Sequence, residues 1–74
     1  MIPHGARVHY PGCPDDQGTA EHDHTNRSPT LVVVWDDEYT DQGPPGDLSG
    51  RIEGHWGDDD ELMKVVLVPG QEQP

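Results

Sequence analysis

Apolar residues along this chain gather into two short blocks. Leu31, Val32, Val33, Val34 and Trp35 form the first, and Met63, Val65, Val66, Leu67 and Val68 the second. Side chains branched at Cβ lose rotamer freedom in a helix and pack well on a pleated surface, so each block predicts a strand. In residues 30–35, Leu31, Val33 and Trp35 point one way and Val32 and Val34 the other. With both faces apolar, this strand is expected at the centre of a sheet. Upstream, Ala6, Val8 and Tyr10 share one face of residues 5–10, which predicts a first strand ending at the Pro11-Gly12 turn. Residues 14–18 read as a polar turn. Residues 19–23 read as a second strand, exposed because it carries Glu21, His22 and Asp23.

After a polar loop at 25–29 and the central strand, residues 36–38 predict a tight acidic turn and 39–42 a short return strand. Gly43-Pro44-Pro45-Gly46 can neither continue a helix nor pair without interruption, and residues 47–49 read as a single 3₁₀ turn. Ile52, Gly54 and Trp56 alternate along 51–56. Residues 62–68 are their expected partner in a C-terminal hairpin, with a loop at 57–61. The chain thus predicts one small β domain over residues 1–69, made of five or six short strands with no helix, and a disordered tail at 70–74.

Four pieces of this pattern resemble the Src homology 3-like small barrels, the class that includes Tudor-type modules. Gly5-Ala6-Arg7-Val8-His9-Tyr10 is similar to their opening strand and Gly18-Thr19-Ala20 to their second. Leu31-Val32-Val33-Val34-Trp35-Asp36-Asp37 is similar to the third strand with its acidic turn, and Pro45-Gly46-Asp47-Leu48 to the turn after the fourth. The resemblance covers residues 5–49. It implies an all-β, Src homology 3-like barrel, and the stretch from Gly50 to Val68 then becomes an added C-terminal hairpin. Unrelated functions share this barrel, so the likeness speaks to fold before role.

Size and charge narrow the role. A chain of 74 residues buries only about 60% of its unfolded surface, which leaves a thin core and little room for a deep catalytic cleft. The formal net charge is −11, which opposes direct contact with nucleic-acid phosphates. Acid concentrates between residues 36 and 61, where Arg51 is the one base, so a basic protein surface is the expected partner. The single cysteine, Cys13, excludes an internal disulfide and fits a reducing compartment. No apolar run reaches the roughly 18 residues of a membrane span, and no signal-peptide layout opens the chain. The reading is therefore cytoplasmic, with no membrane partner.

His22 and His24, with His4 and His9 upstream, carry ligand-type side chains. Structural metal sites want four ligands, however, and the expectation is an exposed polar strand end with no metal. Asp58, Asp59, Asp60 and Glu61 lack the spacing of a calcium loop and read as a solvated acidic tip. Asp36, Asp37 and Glu38, flanked by Trp35 and Tyr39, form a possible aromatic-edged acidic patch for a lysine or arginine; Trp35 ends the most apolar strand, so a core role stands beside that reading. Cys13 sits in a probable turn with no base to activate it, and no apolar pocket is evident to split the pKa values of paired carboxylates. The chain is therefore expected to be a non-enzymatic protein-binding module without cofactors. Its contact residues would be Trp35, Asp36, Asp37, Glu38, Tyr39 and Asp58, Asp59, Asp60, Glu61. Alternatives are a DNA mimic or phage-type inhibitor of a nucleic-acid-handling protein, and a structural subunit or homo-oligomer offering residues 62–68 to a neighbour's sheet.

Overall fold

A computed structural model describes residues 1–25, 27–53 and 62–69. They form seven antiparallel strands and, among the described residues, no helix: β1 (Arg7–Tyr10), β2 (Cys13–Asp23), β3 (Thr30–Trp35), β4 (Thr40–Gln42), β5 (Arg51–Glu53), β6 (Leu62–Lys64) and β7 (Val66–Leu67). The sheet order is β6-β5-β4-β3-β2-β1-β7. Its two outer strands follow one another in the chain, parted only by Val65. Leu62–Lys64 pairs with β5 and Val66–Leu67 with β1, so one bent segment joins both edges and rolls the sheet into a small, nearly closed barrel. At the bend, the Val65 N–H donates to the Gly50 carbonyl at 2.9 Å.

The most apolar strand is the middle one, as its pattern predicts. Leu31, Val33 and Trp35 face inward and are buried, together with Ile2, Val8, Tyr10, Ala20, Ile52 and Val65. The largest fully enclosed side chains are Val8, Leu31, Val33, Ile52 and Val65, each contributing on the order of 1.5–3 kcal/mol. The opposite face of β3 is only partly covered: Val32 is half-buried and Val34 exposed. A single-layer barrel has one interior, and this face lies outside it.

Three expectations are corrected. Residues 14–18 are not a turn but the first half of β2, held in register by Gln17 opposite His9 and Gly18 opposite Val8; the reversal is made by Gly12, whose φ is +85°. Residues 47–49 form no 3₁₀ turn. The reversal lies one step earlier, at Pro44-Pro45-Gly46-Asp47, where the Asp47 N–H donates to the Pro44 carbonyl and Gly46 takes a φ of +83°, the proline-then-glycine order of a type II turn. The strand count is seven rather than five or six, because the last apolar block is split at Val65. The expected C-terminal hairpin is present as Arg51 opposite Lys64 and Ile52 opposite Met63. Gly54, Trp56, the 57–61 loop and the 70–74 tail lie outside the described residues. No helix among the described residues is long and apolar enough to cross a membrane.

Gly18 sits where β2 passes under the aromatic end of β3. A Cβ there would lie 2.8 Å from Val33 Cγ1, 2.9 Å from Trp35 Cε3 and 2.9 Å from the Val34 carbonyl oxygen. All three are closer than van der Waals contact allows, and one is backbone, so the chain cannot yield cheaply. Gly18→Ala is expected to cost about 1–3 kcal/mol, read as a lowered urea midpoint with an unchanged slope.

Candidate functional site

The β3–β4 hairpin carries most of the expected patch that the structure describes. Its loop is Asp36-Asp37-Glu38, closed by the Trp35 N–H donating to the Tyr39 carbonyl at 2.7 Å and the Glu38 N–H donating to the Trp35 carbonyl at 2.9 Å. A three-residue hairpin of this kind places its last loop residue in the left-handed region, a position that favours glycine. Here it is Glu38, with φ of +78°, the one non-glycine residue with positive φ among those described.

The members of the patch separate by environment. Trp35 is core: 3% exposed, stacked on Tyr10 with ring centroids 4.8 Å apart, its indole N–H donating to the Asp41 carboxylate at 2.7 Å. Asp36 is exposed but answered by Arg7, whose guanidinium makes a two-pronged contact with both carboxylate oxygens while also donating to Thr19 Oγ1 at 2.8 Å. That contact holds the Asp36 carboxyl below the usual carboxylate range. Asp37, Glu38 and Tyr39 are left at the tip, all exposed, around an open concavity of about 280 Å³. Asp58, Asp59, Asp60 and Glu61 lie outside the described residues, so the hairpin is the described half of the expected surface.

A second acid is held in a structural role. Asp47 accepts from the Ser49 N–H at 3.0 Å and the Ser49 hydroxyl at 2.6 Å, and from Arg51 Nε and Nη2 at 2.8 and 2.6 Å. These donors, Ser49 foremost, hold its carboxyl far below the usual range. Arg7 and Arg51 are thus each committed to an acid of their own chain.

The histidines gather at another end. His4 and His22 rings lie edge to face at 5.8 Å, and His22 and His24 at 6.2 Å. Two of these rings are engaged by backbone groups: the His22 backbone N–H donates to His4 Nδ1 at 3.0 Å, and His22 Nε2 donates to the Ile2 carbonyl at 2.6 Å. No group of three or more His, Cys, Asp or Glu residues among those described is arranged to hold a metal ion.

Two features escape a reading of the sequence. One is Asp41, a buried carboxylate between exposed Thr40 and Gln42; the available signal is that a buried tryptophan requires an acceptor. The other is the hydroxyl of Tyr10, enclosed without a partner at hydrogen-bonding geometry among the described residues. Compared with family models, curated proteins and solved structures, the chain matches none.

Burial, with the nearby charges of Asp41 and Asp16, pushes the Tyr10 hydroxyl up to about 12 from an ordinary 10. A proton held more tightly in the folded than in the unfolded chain stabilises fully below the unfolded value and is lost as pH rises through the folded one. Stability should therefore fall between about pH 10 and pH 12, and Tyr10→Phe should flatten that part of the curve. Urea midpoints of both proteins at pH 9 and pH 11 measure it.

Proposed function

We propose that this chain is a non-enzymatic protein-binding module that docks a basic protein surface through the tip of the β3–β4 hairpin, on a barrel of the Src homology 3-like class. The observation that carries this reading is Glu38. A left-handed backbone costs a non-glycine residue about 1–2 kcal/mol. The loop needs that backbone, which a glycine would supply without cost, and the Glu38 side chain returns nothing for it within the fold, being exposed and making no hydrogen bond or ion pair among the described residues. Strain kept at an exposed position without structural gain points to use by a partner.

The charge distribution supports the same surface. With four lysines and arginines against 15 acids, and two of the arginines committed internally, the tip presents Asp37 and Glu38 beside the Tyr39 ring with no cation of the chain paired to either acid among the described residues. An acidic, aromatic-edged projection suits lysine and arginine, through charge and through attraction of a cation to the ring face. Direct binding to nucleic acid is disfavoured by the same charge. Leu62–Lys64 and Val66–Leu67 are each paired on one side within the chain, as the two end strands of the sheet.

Stability and binding should move in opposite directions on one substitution. Glu38→Gly relieves the backbone and is expected to raise the melting temperature by roughly 4–8 °C per kcal/mol gained. It should also weaken, by about tenfold or 1.4 kcal/mol, the affinity for a basic partner captured from host lysate at low salt. Glu38→Gln should weaken binding without the gain in stability, and binding of the parent protein should decline with added salt. A Glu38→Gly variant that binds as tightly as the parent would refute the assignment to the tip; displacement of the partner by duplex DNA would favour the mimic reading instead.

A further inference from the structure

The barrel also carries an open groove of about 280 Å³ lined by Tyr10, Pro11, Cys13, Asp16 and Met63, none of them a residue of the hairpin tip. Its position follows from the topology. Tyr10 ends β1 and pairs with Cys13 at the start of β2, so the tight Pro11-Gly12 reversal forms one side. Met63 of β6, partly buried against the core, brings the C-terminal hairpin to the other. Pro11, Met63 and the ring of Tyr10 make the wall predominantly apolar.

The single charge in this wall is the carboxylate of Asp16. It is half-buried and has no hydrogen bond or ion pair among the described residues, unlike Asp36 and Asp47, each of which is answered by an arginine. A carboxylate withdrawn partly from water and left unanswered is a cost to the fold. It also defines what fits: a cation at the end of a flexible apolar stem. The stem lies against Pro11 and Met63 as long basic side chains lie along apolar surface elsewhere, and the head reaches the carboxylate. The Asp16 carboxylate and the net charge of −11 disfavour anionic occupants of the same shape.

We infer that this groove receives a single lysine or arginine side chain of the basic partner, with Asp16 taking the charged head and Pro11 and Met63 the aliphatic stem. The inference rests on the reading that the partner is basic, and it adds a second contact point separate from the hairpin tip. The two divide the work: the exposed tip attracts the partner over a distance, and the groove fixes its register by admitting one side chain of defined length.

The lone thiol of Cys13, exposed at the groove edge, provides a direct test. A short neutral peptide containing one lysine is titrated into the isotopically labelled protein and followed by backbone amide shifts; the same peptide with its lysine acetylated is the control. Saturable shifts centred on Cys13, Asp16 and Met63 are expected with the lysine peptide and not with the acetylated one. Asp16→Asn should weaken them about tenfold, Asp15→Asn should change them less than twofold, and alkylating Cys13 with a bulky maleimide should abolish them while the spectrum elsewhere stays that of the folded protein. Shifts that do not saturate and spread over the acidic surface, or that survive Asp16→Asn and Cys13 alkylation, overturn the proposal. The two readings fail separately. Binding to a captured partner that is sensitive to Glu38→Gly and indifferent to Asp16→Asn removes the groove and keeps the tip; groove shifts with the lysine peptide, and a partner indifferent to Glu38→Gly, do the reverse.

Discussion

The Trp35 indole N–H meets the buried Asp41 carboxylate at 2.7 Å, and neither group belongs in a barrel interior without the other. A carboxylate at that depth is costly unless a donor is fixed against it, and an enclosed indole needs an acceptor. Once the pair is made, much of the remaining structure is determined. The ring orientation lets Tyr10 stack on it and leaves no space for a side chain at position 18. The Trp35 backbone closes the β3–β4 loop at both its N–H and its carbonyl. One residue thereby joins β1, β2, β3 and β4, and a core with few fully enclosed aliphatic side chains can hold together around it.

The distribution of charge follows a related economy. Arginine is scarce, and Arg7 and Arg51 are each placed where one guanidinium ties a strand to a loop: Arg7 links β1 to the hairpin loop through Asp36, and Arg51 ties β5 to the turn at Asp47. Among the other described acids, Asp41 is buried against the Trp35 indole, while Asp37 and Glu38 are exposed at the hairpin tip. Functional and structural acids therefore cannot be separated by composition. Asp36 and Asp37 are neighbours in the chain, yet the first is engaged by its own protein and the second faces outward.

Legibility in the sequence tracks how strongly a signal is local. The central strand was plain, because a run of branched residues ending in tryptophan has few alternatives, and the first strand was visible in the alternation of Ala6, Val8 and Tyr10. The polar half of β2 was not visible. Residues 14–18 hold Pro14, Asp15, Asp16 and Gln17, a composition that signals a turn, and they are extended only because β1 is there to pair with them. The split of the last apolar block at Val65 was hidden for the same reason, since the bend is dictated by two separate partner strands. At the hairpin, the acids and Tyr39 could be picked out, but the burial of Trp35, the engagement of Asp36 by a residue 29 positions away and the strained backbone of Glu38 depend on contacts or geometry that no local pattern encodes. The groove combines residues from both ends of the chain and left no trace in the sequence.

The bend at Val65 also bears on how this protein comes into being. Val8 pairs with Leu67 and His9 with Val66, so β1 waits for β7, which is separated from it by more than 50 residues. During synthesis β1, β2 and β3 can associate as they leave the ribosome, but the sheet stays open, with an unpaired edge, until residues 66–68 have emerged. Closure of so long a loop is slow compared with local pairing, and an open edge of that kind is the usual starting point for misassociation between nascent chains. A net charge of −11 opposes such association, since like-charged copies repel one another.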